Sequence, residues 1–257
     1  MKQYFVVADV HGFYNELNQA LYKKGFRHNN KEHILILCGD AFDRGNQAVK
    51  MFKFLSKIQK QNRLIYIKGN HEDLLFDCVD ELDKYCGCCY THHYSNGTVG
   101  SVIQFEEQNI LKDVLNFIEK NSIDYYETKN YIFVHGWIHY NEPKENKVNE
   151  FDLNLPTYNK DWRNADKANW EKTRWLNGME ANVSWNIYEP NKTIVCGHWH
   201  CSWGNHLLNP KIEEFPKDKK QIEKSFRPYK NKGIIAIDTC TAYTHKVNVL
   251  VINEDEI

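Results

Sequence analysis

Three short apolar runs, Tyr4 to Ala8, Ile34 to Cys38 and Leu64 to Ile67, each end in a cluster of turn and metal-ligand residues. The clusters are Asp9-Val10-His11-Gly12, Gly39-Asp40 and Gly69-Asn70-His71-Glu72. Short apolar runs rich in branched residues and bounded by turn signals predict strands. Between them, Phe13 to Lys24 and Gln47 to Gln61 show helical periodicity, and a repeat of about thirty residues is the size of a βαβ unit. Helices between strands imply parallel pairing with at least one covered face. In open α/β sheets, residues just past the carboxyl ends of the strands line a shared crevice, where ligands bind. The three clusters are therefore expected together in space.

Beyond Glu72 the sequence predicts mostly helical and irregular structure to about Asp124, after which strand-like runs return. Tyr131 to Val134 leads into His135-Gly136, and Thr193 to Cys196 leads into Gly197-His198-Trp199-His200. Ile234 to Ile237 and Val247 to Ile252 are expected as antiparallel partners in a second sheet. The 257 residues, 42% hydrophobic, can bury a full core in one domain spanning 1–257, with cap-like excursions near 75–125 and 143–190. The polar stretch Pro143 to Asn169 and the charged stretch Asn209 to Lys232 are expected as surface excursions.

A formal net charge of −1 with no Lys/Arg block argues against a dedicated nucleic-acid or membrane-surface binder, since both need a basic footprint. The N-terminus passes straight into a strand-like run without the shape of a signal peptide, and no apolar stretch reaches membrane-spanning length. A cytoplasmic setting follows as an expectation. The eight cysteines are expected as reduced thiols, several of them, such as Cys38, Cys196 and Cys240, inside apolar runs.

Asp9, His11, Asp40, Asn70, His135, His198 and His200 are seven potential ligands, each at a predicted strand end. Mixed carboxylate, imidazole and amide ligation suits Mn, Fe or Zn rather than Mg or Ca. One ion does not need seven ligands. Two ions sharing a bridging carboxylate do, and ions about 3.5–4 Å apart form the usual clamp for displacement at phosphorus.

In order, the blocks Asp9-Val10-His11-Gly12, Gly39-Asp40-Ala41-Phe42-Asp43-Arg44-Gly45, Gly69-Asn70-His71-Glu72, His135-Gly136 and Gly197-His198-Trp199-His200 resemble those of the calcineurin-like metallophosphoesterases. The second and third blocks bring the chain nearest to the phosphoprotein phosphatase branch, including its bacterial and phage serine/threonine phosphatases. The resemblance implies an α/β fold, a two-sheet β-sandwich flanked by helices. It implies two divalent ions, Mn first and Fe or Zn as alternatives. Asp9, His11 and Asp40 would hold one ion, with His200 on that side, and Asp40, Asn70, His135 and His198 would hold the other. A hydroxide bridging the metals would be the nucleophile. His71, oriented by Asp43, would protonate the leaving oxygen, and Arg44 would grip phosphate oxygens.

The same branch implies a second phosphate-binding arginine after the His-Gly strand. Arg174, within Trp170-Glu171-Lys172-Thr173-Arg174-Trp175, is the candidate and Arg163 its rival. Ala8 stands where the first block commonly has glycine, a change small enough that metal binding is expected to survive. His139 is expected as a surface or cap histidine. Cys86 and Cys89, with His92 and His93 behind them, have the spacing of half a zinc site, but no second pair completes it. Tryptophans at 162, 170, 175, 185, 199 and 203 gather in the second half, mostly as packing, with some walling the cleft.

The expected reaction is phosphomonoester hydrolysis, with phosphoserine or phosphothreonine on protein as first choice and a small phosphoester also possible. Hydrolysis of dinucleoside polyphosphates of the diadenosine tetraphosphate type is the alternative. An inactive binding protein of the same fold is a third reading, weakened by the intact His71, Asp43 and Arg44.

Overall fold

The computed structural model describes residues 1–84, 91–143 and 155–257. Its strands are β1 (Gln3–Val7), β2 (His33–Cys38), β3 (Leu64–Ile67), β4 (Ser122–Ile123), β5 (Tyr126–Glu127), β6 (Tyr131–Phe133), β7 (Tyr140–Asn141), β8 (Thr157–Tyr158), β9 (Thr193–Cys196), β10 (Tyr229–Asn231), β11 (Ile234–Ala236) and β12 (Leu250–Asn253). They form one five-stranded sheet ordered β12-β1-β2-β3-β4, a second ordered β10-β11-β9-β6-β5, and the hairpin-like pair β7-β8. In the first sheet β1, β2, β3 and β4 run parallel, in register Val6 to Ile36 and Ile36 to Ile65. In the second, β6, β9 and β11 run parallel.

Alternation along the strands sorts their side chains between layers. Tyr4, Val6 and Ala8 share a buried cluster with Ile36, Cys38, Ile67, Phe133, Val195 and Ile237, which come from both sheets. Phe5, Val7, Leu35 and Leu37 belong to a separate cluster with Leu17 and Leu21 of α1 (Tyr14–Lys23) and Met51, Leu55 and Ile58 of α2 (Ala48–Gln59). A third cluster joins Ile132, Val134, Ile194 and Ala236 to Trp162, Trp170 and Met179. The result is helices, sheet, sheet, helices. Each fully buried Leu, Ile or Phe contributes roughly 1.5–3 kcal/mol.

The run at 234–237 joins the second sheet, where β11 pairs antiparallel with β10 on one side and parallel with β9 on the other. The last run does pair antiparallel, but β12 lies on β1 in the first sheet. Alternation within 247–252 could not tell which sheet edge was open. The stretch near 75–125 gives Val99, Val102 and Phe105 from the helix Thr98–Glu106, and Val114 and Ile118 from the helix Leu111–Asn121, to the core under the first sheet. Likewise the described part of 143–190 packs Trp162 and Trp170 under the second. Among the described residues, no helix is long and apolar enough to cross a membrane.

Candidate active site

Each of six parallel strands releases one polar residue just past its end. Asp9, Asp40, His135, His198 and Asp238 follow the last residues of β1, β2, β6, β9 and β11 by two, and Asn70 follows β3 by three. Asn70 is also the first residue of α3 (Asn70–Lys84). At Asp9, His11, Asp40, Arg44 and His198 the backbone is left-handed, with φ of 52°, 44°, 58°, 62° and 65°. Such conformations cost of order 1–3 kcal/mol for a residue with a side chain and concentrate at functional sites. Here they bend the segments after β1, β2 and β9 so that Asp9, His11, Asp40 and His198 turn towards one space.

Asp40 is the hub. Its Oδ2 lies 3.7 Å from His11 Nε2 and 3.8 Å from His71 Nε2, and its Oδ1 lies 3.4 Å from His135 Nε2. Two groups of mutually close donor atoms result, His11-Asp40-His71 and Asp40-His135-His198, and both contain Asp40. Burial first, opposed by the histidines around it, leaves the Asp40 carboxyl well below the usual range. It is therefore ionised and ready to ligate.

The tautomers point the same way. His11 Nδ1 is 2.5 Å from Asp43 Oδ1, so the neutral ring donates there and turns its Nε2 lone pair towards Asp40. His135 Nδ1 donates to the Cys38 carbonyl at 2.8 Å, which leaves its Nε2 lone pair 2.8 Å from Asn70 Oδ1. His198 Nδ1 lies 3.0 Å from the same oxygen. Burial lowers the pKa of His11 and His135, and burial followed by His135 takes His198 to about 3. Neutral nitrogens, an amide oxygen and a carboxylate thus converge with lone pairs facing one another, while Asn70 Nδ2 is buried without a hydrogen-bond partner. A divalent cation resolves that convergence, so the donor set fits a metal.

Asp43 bridges His11 and His71, its Oδ2 paired with His71 Nδ1. Burial would raise it, but the two histidines hold it at about 2. For His71, burial is outweighed by Asp40 and Asp43, which lift it to about 9. Arg44 Nη2 sits 3.0 Å from His71 Nε2. Two donors cannot share that contact, so it belongs to the neutral ring. With a phosphoryl oxygen to receive Arg44, the protonated ring is free to donate. Arg44 itself is exposed.

Other sequence candidates take different positions. Asp9 accepts from the His198 backbone N–H through both oxygens, at 3.1 and 2.9 Å, and lies outside both donor groups. A Cβ at Gly197 would clash with that carboxylate and approach Ala8 Cβ to 2.6 Å, so a bare Gly197 makes the room that Ala8 occupies. His200 turns away: Nδ1 pairs with Ser202 Oγ at 2.8 Å, Nε2 lies 3.5 Å from Glu214, and the ring packs on Phe215 at 4.7 Å. Arg174 is buried and held between Asp73, at 2.6 Å, and Asp124. Arg163 pairs with Glu127 and Glu189 at 2.6 and 2.8 Å. His139 lies outside both donor groups. Cys86 and Cys89 lie outside the described residues.

Two carboxylates escaped the sequence reasoning. Glu72 accepts from the backbone N–H groups of Gly69, Asp40 and Ala41 at 2.7, 2.9 and 2.8 Å, tying the β2 and β3 ends together. Burial, then Asp40, raises it to about 7. Asp238 is buried, lifted by burial to about 7, and shares the field of Arg44, Asp40 and His71. The strand-end rule that found Asp9 and Asp40 also marks Asp238, directly after the run 234–237.

The family model of the calcineurin-like phosphoesterases matches residues 3–202. This chain belongs to that family. Among curated relatives of this calcineurin-like phosphoesterase, the asymmetrical bis(5'-nucleosyl)-tetraphosphatase PrpE of Oceanobacillus iheyensis is 33% identical over 78 residues, 28% of this chain and 31% of the relative. The symmetrical bis(5'-nucleosyl)-tetraphosphatase of Buchnera aphidicola is 35% identical over 72 residues, 28% of this chain and 24% of the relative. The matches therefore span a third or less of these relatives. In fold, the phosphoesterase is similar to a proposed diadenosine tetraphosphatase, with a TM-score of 0.53, 13% identity and coverage of 100% and 91% of the two chains. It is also similar to the cold-active protein-tyrosine phosphatase of a psychrophilic Shewanella species, with a TM-score of 0.51, 14% identity and coverage of 99% and 76%.

Proposed function

We propose that this calcineurin-like phosphoesterase is a metal-dependent hydrolase of dinucleoside polyphosphates, working through two divalent ions, with Mn as the expected metal. The observation that carries the two-ion reading is the sharing of Asp40 by both donor groups. His11 and Asp40 would serve one position, and Asp40, Asn70, His135 and His198 the other. Such ions, when bound, supply Lewis-acid charge to phosphoryl oxygens and lower the pKa of a water.

The chain's own residues do the rest. Arg44, exposed beside His71, would take two phosphoryl oxygens in its planar fork. His71 would deliver a proton from Nε2 to the leaving oxygen, and Asp43, bonded to its Nδ1, holds the ring in that tautomer. Glu72 braces Asp40 through its backbone. Asp9 would act by fixing the His198 segment, and Arg174 by holding the wall of the site.

The names of the curated relatives favour the dinucleoside polyphosphate over the phosphoprotein expected first from the sequence. The test is a side-by-side assay with Mn of diadenosine tetraphosphate, a phosphoserine peptide and p-nitrophenyl phosphate. The expected order of kcat/KM places diadenosine tetraphosphate at least about tenfold above the peptide. The reverse order would return the assignment to a protein phosphatase, and full activity in chelator-treated enzyme would remove the metal mechanism.

A further inference from the structure

Beside the donor groups runs a cleft of about 580 Å³ whose lining includes Lys68, Asp77, Glu119, Asp124, Glu171 and Trp175. Its volume is in the range of small-ligand sites. Trp175 stands where the cleft meets the metal-ligating residues. Its indole is 48% exposed and meets the His198 ring edge-on, centroids 5.9 Å apart at 82°. Arg174, clamped between Asp73 and Asp124, ties α3 to the segment after β4 and so fixes the wall that carries Trp175.

The charge of the lining restricts what it can hold. Five carboxylates, Asp73, Asp77, Glu119, Asp124 and Glu171, face three cations, Lys68, Lys167 and Arg174. Arg174 and Lys68 are already paired with Asp73. A surplus of acid next to a centre built for phosphate makes this a poor second phosphate pocket. It suits a neutral group rich in hydroxyls, which donates to carboxylates, with a flat face to lay against an indole.

We infer that this cleft is the nucleoside subsite of the enzyme, with Trp175 stacking the base and the acidic lining accepting from ribose hydroxyls while the phosphates reach His71 and Arg44. The inference rests on the nucleotide reading of the site and assigns the residues that would enforce it. Trp199, 38% exposed and 6.0 Å from the His198 ring, continues the aromatic rim on the same histidine.

The experiment compares AMP with ribose 5-phosphate as inhibitors of p-nitrophenyl phosphate hydrolysis by the Mn-loaded full chain. The two share the phosphate and the sugar, and ribose 5-phosphate carries an anomeric hydroxyl where AMP carries its base. AMP is expected to inhibit at a concentration at least about tenfold lower, within the range that base–aromatic stacking supplies. Trp175→Ala should bring the ratio close to one, and Trp175→Phe, which keeps a flat ring, should retain most of it. With diadenosine tetraphosphate, Trp175→Ala should raise KM more than it lowers kcat. A ratio near one in the wild type, or a ratio unmoved by Trp175→Ala, overturns the subsite. If the wild type cleaves diadenosine tetraphosphate efficiently yet shows a ratio near one, the subsite fails and the function stands. If it cleaves the phosphoserine peptide and not diadenosine tetraphosphate, the substrate assignment itself has failed.

Discussion

The rim formed by β1, β2 and β3 and the rim formed by β6, β9 and β11 obey one rule, a polar residue just past a parallel strand, yet they hold their side chains differently. On the first rim Asp40, Asp43, His11 and His71 form a closed network of carboxylate and imidazole pairs, and Arg44 is exposed beside it. On the second, His135 and His198 reach the shared centre, while His200 and Arg174 are engaged elsewhere, with Ser202 and Glu214 and with Asp73 and Asp124. A side chain's residue type and strand-end position thus place it near a site, but the partners within its reach decide whether it faces in.

The largest effect should separate the hub from the outlier. Asp40→Asn removes the carboxylate common to both donor groups and is expected to lower kcat/KM on the order of 10³-fold, with loss of bound Mn measured by elemental analysis. His200→Ala is expected to cost less than about threefold, because its ring is held outside both groups. Comparable losses would place His200 among the ligands and break the contrast between the rims.

Next come the two arginines. Arg44→Ala should forfeit about 2–4 kcal/mol of transition-state stabilisation, roughly 30- to 1,000-fold in kcat/KM, with little change in Tm. Arg174→Ala should do the opposite. It leaves Asp73 with Lys68 as its remaining partner and removes the cation beside a partly exposed Asp124, so thermal and urea unfolding should register a loss of about 1–2 kcal/mol. If Arg174→Ala keeps its stability and loses activity as steeply as Arg44→Ala, it contacts phosphate after all.

His71→Asn sharpens the first rim alone. A general acid matters most when the leaving oxygen is strongly basic, as from serine, and less for p-nitrophenolate or a phosphate leaving group. The loss with phosphoserine peptide should exceed that with p-nitrophenyl phosphate by about tenfold, with metals retained. Equal losses would mean that His71 positions rather than protonates.

The smallest effect lies away from the site. Hydrogen bonding from Arg163 first, opposed by burial and aided by Lys192, depresses Glu127 to about 2. A depressed carboxylate adds stability above its unfolded pKa of about 4.5, and that stability is lost as pH falls from there through about 2. The pair is partly exposed, so the term is under about 1 kcal/mol. Urea midpoints of wild type and Glu127→Gln should differ at pH 7 and converge near pH 2.5. A gap that persists there would mean the charge is not what Glu127 contributes.

The sequence by itself determined the strand-end chemistry. Apolar runs of four or five residues followed by Asp9, Asp40, Asn70, His135 and His198 follow from period-two burial and turn residues, both local properties. Those segments converge at the strand ends, and the family match covers them. The same local logic applies to Asp238, although no familiar block surrounds it. Tertiary structure alone decided the rest. The sheet edge that β12 joined, the inward packing of Val99 and Phe105, and the partners of His200 and Arg174 depend on residues up to two hundred and more positions away in the chain. A side chain turns towards whichever opposite charge or flat ring the fold brings within about 3–4 Å, and one strand or helix cannot specify what the far side of the molecule will place there.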